Sequence, residues 1–506
     1  MAVNQLKAGV VLNYINIGLV SLIGLLFTPY LLRKLGQSEF GLYSLVSSIV
    51  AYLTVLDLGF ANAIVRYTAK FRTERKKEEQ YRMFGMFFLL YIAIGIIALI
   101  AGLILYCNVE ALFGATMTIN EIARAKIMIL ILVFNLTITF PMSIFGAIVT
   151  AYEQFVFQKI VSISQIILNY TMIFIILQIG FKAIGVVVVL TVFNVLALIV
   201  NFLYCRYKIH IKMIFGHFEW FFLKEVAIYS FWIFLNVIMD RIYWGTGQFV
   251  LGAVVGTAAV AVFAVAIKLE TIYMSLSTAV VNVFLPKVTG MVANNCSERE
   301  ISDLFIKIGR IQYIIVSFIL SGFILFGKEF IDIWAGPGYE DAYMIALLFF
   351  ISLSVPLIQN LGITILQARN QMKFRSLLYL IIAIIALLMQ IFLSRYFGGI
   401  GCAIAIAGAL FLGQGLIMNV YYHKVQKLDM LKFWREILKM SFVPVILVAI
   451  GFWLKNGHIM NNTSSLVLGI ISFSIIYLFL FWFVGLNSSE RNLISKPTLK
   501  ILSKIK

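Results

Sequence analysis

Five charged residues lie near the middle of apolar stretches that are long enough to cross a lipid bilayer, away from the ends of these stretches: Asp57, Asp240, Arg241, Lys268 and Glu270. A charge at the centre of a bilayer costs at least ~2.5–3.5 kcal/mol, so such side chains face a protein interior or an aqueous cavity. Arginine offers a phosphate group a planar fork of donors, and lysine offers it a point charge. We therefore predict that Arg241 and Lys268 line a central cavity and bind an anionic headgroup, above all a diphosphate.

Each of these basic residues has an acidic neighbour, which leaves a structural alternative open. Asp240 directly precedes Arg241, and Glu270 follows Lys268 after one intervening residue. In the alternative, Arg241 pairs with Glu270 or Lys268 pairs with Asp240, and the pair only holds two helices together. In the functional interpretation, the two acidic residues compete with the substrate or take up a coupling ion, H⁺ or Na⁺. Because the two basic residues are matched by two acidic residues, the sign of the net charge in the cavity stays open.

Other polar residues in the apolar stretches are candidates for binding or gating. Asp57 is followed by Gly59, and Arg66 lies near the cytoplasmic end of the same predicted helix. Asp57 is a candidate for ion coupling or gating, and Arg66 for the cavity; the alternative is helix packing for Asp57 and a basic flank for Arg66. Asn16 and Asn236 could contact sugar hydroxyls, or they could form hydrogen bonds between packed helices.

The sequence shows no pattern of a catalytic or cofactor site. Its four histidines lie in or beside loops and are not paired at metal-ligand spacing, and its four cysteines are widely separated. It contains neither a Walker A sequence nor a GxSxG motif. We therefore expect no catalytic residue, no metal and no cofactor apart from a coupling ion. Any use of ATP would need a separate subunit.

Composition identifies the kind of protein that carries these charges. Of the 506 residues, 62% are hydrophobic and only 12% are charged, whereas soluble proteins have about 25% charged residues. A soluble core could not hide so much apolar surface, so the chain is an integral membrane protein. The net charge of +18 is typical of a membrane protein with basic cytoplasmic loops. We expect no nucleic-acid partner.

Segments of about 20 mostly apolar residues predict spanning helices. Fourteen such segments occur, at residues 9–32, 41–65, 83–106, 122–151, 156–180, 183–204, 226–251, 258–285, 305–327, 342–367, 375–394, 400–422, 437–454 and 465–485. Lys and Arg are frequent in the even-numbered loops and in the tail, one lies at the N-terminus, and they are sparse in the odd-numbered loops. By the positive-inside rule, both termini are cytoplasmic. We predict an all-α polytopic membrane protein with about 14 transmembrane helices and short loops, which must act within the bilayer.

The two halves of the chain carry a faint repeat. LGQSEFGLYSLV in the first half aligns with VGTAAVAVFAVA in the second, so that Asn16 falls on Asn236, Gly36 on Gly256 and Tyr43 on Phe263. Predicted helices 4 and 10 each contain a proline near the middle, which usually kinks a spanning helix, and each ends in A-x-x-Q-x-x-F. Paired lobes of this kind suit a transporter that rocks one half against the other. We predict three domains: an N-lobe at 1–215 with helices 1–6, a C-lobe at 216–425 with helices 7–12, and helices 13–14 with a basic cytoplasmic tail at 426–506.

The motifs TPYLLRKLGQSEFGLYSL at the first turn and LDLGFANAIVRY at the end of helix 2 resemble the bacterial polysaccharide (O-antigen type) flippase family, as do fourteen helices in two related halves. This family is part of the multidrug, oligosaccharidyl-lipid and polysaccharide exporter superfamily. The resemblance implies an alternating-access cavity between helices 1, 2, 7 and 8 that is lined with cationic residues. Arg241 and Lys268 match the cavity helices, and Asp57, Gly59 and Arg66 match the end of helix 2. The acidic residues beside the two bases depart from the family's pattern.

The resemblance also implies a cargo: an undecaprenyl-diphosphate-linked oligosaccharide, such as an O-antigen, capsule or exopolysaccharide repeat unit. It would be moved from the cytoplasmic to the outer leaflet of the bacterial inner membrane, with a polysaccharide polymerase and chain-length machinery as partners. Three alternatives remain. Twelve helices and a cavity rich in acidic residues would favour a multidrug and toxin extruder of the same superfamily. A flippase for the lipid-linked peptidoglycan precursor would carry more cavity arginines, and a membrane polymerase or ligase would need a larger outer loop.

Overall fold

The computed structural model describes residues 5–216, 220–282, 284–455, 463–487 and 490–491. Within these residues the chain is helical and contains no β-strand, so the all-α prediction is confirmed. Helices suit a bilayer because each one satisfies its own backbone hydrogen bonds. In chain order they are α1 (Gln5–Leu35), α2 (Gln37–Leu53), α3 (Phe60–Thr73), α4 (Lys77–Phe113), α5 (Ile119–Ala151), α6 (Phe155–Gln178), α7 (Ala183–Tyr204), α8 (Trp220–Trp244), α9 (Thr246–Val254), α10 (Thr257–Asn282), α11 (Leu285–Ala293), α12 (Glu298–Trp334), α13 (Asp341–Ile358), α14 (Leu361–Ala368), α15 (Lys373–Leu410), α16 (Met418–Lys424), α17 (Met430–Lys455) and α18 (Thr463–Leu480). Four short segments extend or interrupt them: a 3₁₀ turn at Thr54–Asp57 and π-helical turns at Cys205–Ile209, Phe411–Ile417 and Phe481–Gly485.

Twelve segments of the described residues are long and apolar enough to cross a membrane, which confirms a multi-pass membrane protein. Each of the fourteen predicted spans overlaps a helix, and the difference in number has two causes. The segment Lys373–Lys424, 52 residues long, contains the eleventh and twelfth predicted spans. Gly398 separates these two, since its φ of 52° and ψ of −131° are not helical. The seventh predicted span corresponds to α8 and α9, which are not among the twelve.

Three spans that were predicted as single helices are interrupted, at 41–65, 226–251 and 342–367, so those predictions are wrong in this respect. The span at 41–65 breaks between α2 and α3, where Leu58 and Gly59 adopt left-handed φ angles of 53° and 76°. The span at 226–251 breaks at Gly245, between α8 and α9. Hydropathy does not reveal such breaks, because the residues on both sides are equally apolar. The breaks at Leu58–Gly59 and at Gly245 frame the candidate site.

The two prolines that were expected to kink helices 4 and 10 act differently. α13 ends at Ile358, two residues beyond Pro356, and α14 follows after a short turn. α5, by contrast, continues through Pro141 to its end. Pro141 has no N–H and therefore leaves the carbonyl of Thr137 without its helical donor. Gly95 of α4 packs against this carbonyl so closely that an added Cβ would lie 2.9 Å from the oxygen.

The helices group into two compact units. The first consists of Met1–Val265 and Tyr379–Cys402, and the second of Ala266–Leu378 and Ala403–Lys506. Helices α8 and α9, which were predicted in the C-lobe, thus belong to the first unit. The lobe boundaries were inferred from a repeat in the sequence, which is a different property from proximity in space, and they stay a prediction.

Each unit has a helix around which the others pack. In the first unit this helix is α5, which packs against α4 and α7 and also against α2 and α3, while α1 packs along α6. In the second unit it is α12, which packs against α13, α17 and α18. An apolar cluster joins α12, α17 and α18, and its buried members are Leu325, Met440, Val443, Leu447, Phe473, Tyr477 and Phe481. Burial of apolar surface therefore holds the C-terminal helix pair, α17 and α18, against α12.

The structure supports the internal repeat through its turns. Residues with positive φ angles recur at corresponding turns between helices in the two halves of the chain. The matching residues are Gly36 and Gly256, Arg75 and Asn295, Glu153 and Asn370, Gly180 and Gly398, and His210 and Lys427. Positive φ angles are rare for residues other than glycine, and three of the five pairs contain no glycine, so five coincidences in order indicate a shared backbone path.

Two aromatic pairs strengthen this correspondence. Phe157 stacks on Tyr204 with ring centres 3.7 Å apart, and Phe374 stacks on Tyr421 with ring centres 4.2 Å apart. Phe157 and Phe374 are the last residues of the two A-x-x-Q-x-x-F segments. The predicted pseudo-repeat is thus present in structure as well as in sequence.

Candidate functional site

Asp57 lies at the break in the second predicted span, at the end of the 3₁₀ turn. Its Oδ1 accepts a hydrogen bond of 2.7 Å from the hydroxyl of Tyr91, which is fully buried in α4. The backbone N–H groups of Gly59 and Ala61 also donate to the carboxylate. These N–H groups belong to the start of α3, where backbone donors lack helical partners. Asp57 therefore caps α3.

Arg241 lies in the last turn of α8, just before the break at Gly245. Its half-buried side chain donates from Nη2 to the Thr54 hydroxyl at 3.3 Å. Among the described residues of the first unit, this hydroxyl is the one acceptor of the guanidinium, and no carboxylate pairs with it. A guanidinium carries five N–H donors. Most of the donors of Arg241 thus have no acceptor in the described part of its own unit.

The backbone of Arg241 is held by the residue at the end of α2. The Tyr52 hydroxyl donates to the Arg241 carbonyl at 3.0 Å and also contacts the hydroxyl of Thr246, the first residue of α9. The N–H of Gly245 donates to the same carbonyl at 2.8 Å. We call Tyr52, Thr54, Arg241 and Thr246 the Arg241 cluster. It joins the break in the second predicted span to the break in the seventh.

Lys268 and Glu270 lie on α10 and belong to the second unit. Lys268 is half-buried and makes no hydrogen bond or ion pair with any described residue of its unit. Glu270 is 2% exposed, and its Oε2 accepts from the Thr271 hydroxyl at 3.3 Å. Residues two apart on a helix do not face each other, so Lys268 and Glu270 point in different directions. The alternative pairs, Arg241 with Glu270 and Lys268 with Asp240, each join the two units and stay predictions.

The remaining candidates are distributed along the first unit. The side-chain amide of Asn16 donates to the Ser162 hydroxyl at 3.3 Å, which links α1 to α6 and favours the packing interpretation. Arg66 is exposed on α3, with its guanidinium carbon 5.9 Å from the centre of the Tyr67 ring. Asp240 is exposed on α8. Asn236 lies within α8, and its side chain is outside the described residues.

Sequence reasoning missed the neutral members of the Arg241 cluster. Tyr52, Thr54 and Thr246 carry no charge, so nothing distinguished them from the polar residues common in membrane helices. The pair Leu58–Gly59 was an available signal, because a glycine shortly after an embedded Asp favours a helix break. A second polar contact was also missed: Asn194 of α7 donates to Asn135 and Thr139 of α5 at 2.8 and 2.9 Å.

The described residues contain no group of three or more His, Cys, Asp or Glu side chains that could hold a metal ion. The chemistry available at the Arg241 cluster is hydrogen bonding and charge. A half-buried guanidinium with unused donors, held beside three hydroxyl groups, can bind an anion that presents several oxygens. A phosphate or diphosphate has this form.

The comparisons with known proteins agree with this architecture. The sequence profile of the family described as "Polysaccharide biosynthesis protein" matches residues 6–292. A protein of Shigella flexneri that is named as an O-antigen transporter is 22% identical over 430 residues, which cover 81% of this chain and 96% of that protein. The match thus extends over nearly the whole length of the relative.

Solved structures show the same fold. The lipid II flippase MurJ, in an inward closed conformation, has a TM-score of 0.73 at 16% identity and covers 93% of this chain and 96% of its own. An inward-facing multidrug resistance MATE family transporter of the MOP superfamily has a TM-score of 0.62 at 15% identity and covers 82% and 96%. These two likenesses show a shared fold. Because the family profile matches more than half of the chain, the chain belongs to the polysaccharide biosynthesis protein family, in agreement with the motifs in its first two helices.

Proposed function

We propose that the chain is a flippase that moves an undecaprenyl-diphosphate-linked oligosaccharide from the cytoplasmic to the outer leaflet of the bacterial inner membrane. One observation carries the proposal. Inside a membrane protein of a polysaccharide biosynthesis family, Arg241 is half-buried, and the Thr54 hydroxyl is its one acceptor among the described residues of the first unit. A half-buried cation without a counter-charge is costly, so an anionic ligand is the natural partner for its remaining donors.

The cargo sets a physical problem that these residues can solve. Its sugar-diphosphate head is hydrated and charged, whereas its apolar lipid tail is soluble in the hydrocarbon of the bilayer. A polar cleft that opens sideways lets the head cross while the tail stays in the lipid. In this proposal, Arg241 and Lys268 bind the diphosphate, and Arg66, Asn16 and Asn236 contact polar parts of the cargo.

The related proteins support transport rather than catalysis. Those named above are an O-antigen transporter, a lipid II flippase and a multidrug transporter. Because the sequence contains no nucleotide-binding motif, an ion gradient supplies the energy in this proposal. Asp57, Asp240 and Glu270 are the candidate carriers of H⁺ or Na⁺, and alternating access exposes the cavity to each side in turn. A polysaccharide polymerase and its chain-length machinery would receive the product.

The test is complementation of a bacterial strain that lacks its O-antigen flippase, with staining of surface polysaccharide. We expect the wild-type chain to restore the glycan, and Arg241→Ala and Lys268→Ala to abolish it while membrane insertion is unchanged. Arg241→Lys keeps the charge but loses the planar fork, so we expect it to restore the glycan only in part. Normal glycan display with both alanine variants would contradict the proposal.

The same strains distinguish the alternatives. Protection against cationic dyes without restored glycan would identify a multidrug extruder. Rescue of a strain depleted of its lipid II flippase would identify a peptidoglycan precursor as the cargo.

A further inference from the structure

We propose that Tyr52 and Thr54 are positioning residues that aim the Arg241 guanidinium at the diphosphate of the cargo. The inference rests on the proposed function and adds two residues to it, neither of which is charged. It follows from the hydrogen bonds within the Arg241 cluster, all of which lie in the first unit.

The Thr54 hydroxyl has its single hydrogen already engaged. It donates to the Ala51 carbonyl at 2.6 Å, in the last turn of α2. A hydroxyl has one hydrogen and two lone pairs, so the oxygen presents only lone pairs to other partners. Arg241 Nη2 donates to it at 3.3 Å. Thr54 therefore acts as a fixed acceptor that takes one N–H of the guanidinium and leaves the others turned away from it.

Tyr52 holds the backbone of Arg241. Its hydroxyl donates to the Arg241 carbonyl at 3.0 Å, so its lone pairs remain to accept from the Thr246 hydroxyl that contacts it. Its ring lies against Gly245, where an added Cβ would be 3.4 Å from a ring carbon. The backbone of Arg241 is thereby anchored to α2, at the residue where α8 ends.

Both ends of the arginine are thus held by the last turn of α2 and the 3₁₀ turn that follows it. An arginine side chain loses rotamer entropy when it is fixed. If the protein has already fixed it, less of this cost falls on ligand binding. The arrangement also joins the two helix breaks, so a shift of one break carries the guanidinium with it.

The experiment measures binding of inorganic diphosphate to the purified full-length chain in detergent by isothermal titration calorimetry, at constant ionic strength. The variants are Thr54→Val, Thr54→Ser and Tyr52→Phe, with Arg241→Ala as the reference for loss of the site. Thr28→Val is the matched control, because the Thr28 hydroxyl also donates to a helix carbonyl, that of Gly24, but accepts from no arginine among the described residues. Thermal midpoints are recorded for every variant.

We expect Thr54→Val to weaken diphosphate binding about tenfold and Tyr52→Phe about fivefold. Thr54→Ser should restore wild-type affinity, and Thr28→Val should leave the affinity unchanged. A purely structural role would lower the thermal midpoint without this pattern of loss and rescue, and such a result would overturn the inference. If Arg241→Ala abolishes binding while Thr54→Val and Tyr52→Phe bind like the wild type, the inference is wrong and the proposed function stands. If Arg241→Ala binds normally, the proposed function itself is wrong.

Discussion

Arg310 and Glu490 are joined by two parallel hydrogen bonds, from Nε to Oε1 at 2.7 Å and from Nη2 to Oε2 at 2.9 Å. Arg310 is 5% exposed and Glu490 is 2% exposed. Arg310 also donates to the Glu436 carboxylate of α17 at 2.8 Å and to the Gly485 carbonyl at 3.0 Å. One buried guanidinium of α12 thus binds both α17 and the segment that follows α18.

This ion pair predicts a large effect of a single substitution. Removal of one partner leaves a buried charge without compensation, so we expect Arg310→Ala to destabilise the second unit by about 3–5 kcal/mol. Lys439→Ala is the control, because Lys439 pairs with Glu436 while its side chain is 64% exposed. An exposed pair contributes about 0–1 kcal/mol. The thermal midpoint in detergent is the measurement, and equal shifts for the two variants would contradict the prediction.

The contact of α2 with α10 predicts a second effect. A Cβ added at Gly41 would overlap the carbonyl oxygen of Thr257 and approach the backbone nitrogen of Ala261. Backbone atoms cannot move aside cheaply, so we expect Gly41→Ala to destabilise the first unit by about 1–3 kcal/mol. Gly18→Ala is the matched control, since nothing lies within 4 Å of its added Cβ. The reverse order of thermal midpoints would show that the two helices do not meet as described.

The break in the second span predicts opposite effects of two adjacent substitutions. Leu58 and Gly59 both have left-handed φ angles, 53° and 76°. A residue with a Cβ pays about 1–2 kcal/mol in this region, and glycine does not. We expect Gly59→Ala to lower the thermal midpoint and Leu58→Gly to raise it or leave it unchanged. A continuous helix through this segment would instead make Leu58→Gly the more damaging change.

Asp57 allows its capping role to be separated from ion coupling. Asp57→Asn keeps an oxygen that can accept from Tyr91 and from the start of α3, but it can no longer gain or lose a proton. If Asp57 carries the coupling ion, the variant should fold normally and fail to restore surface glycan in the complementation assay. Asp332→Asn, at an exposed position of α12, is the control. Normal glycan display with Asp57→Asn would leave Asp57 with the capping role alone.

Hydropathy and loop charge predicted most of the fold, because a spanning helix must be long and apolar whatever it packs against. The positions of all fourteen predicted spans overlap helices, and the repeat was visible at Gly36 and Gly256. The breaks at Leu58–Gly59 and at Gly245 were not predicted. They depend on local backbone angles, and the flanking residues have the same apolar character as an uninterrupted helix.

The candidate site was predictable only in its charged members. Arg241 stands out in an apolar stretch, but Tyr52 and Thr54 precede it in sequence by 189 and 187 residues. The partner of Arg310 was equally unpredictable from the sequence. The sequence around Arg310 indicates only a basic flank at a membrane surface, whereas its partner Glu490 is 180 residues away.

The corresponding turns in the two halves differ in residue type. Arg75 matches Asn295, Glu153 matches Asn370, and His210 matches Lys427. Side chains have thus been replaced while an unfavourable backbone angle was kept, which is the record expected when an ancestral gene for a half-length protein was duplicated and fused. At these turns the backbone path has been kept more strictly than the residue type, so one scaffold can present different side-chain chemistry in its two halves.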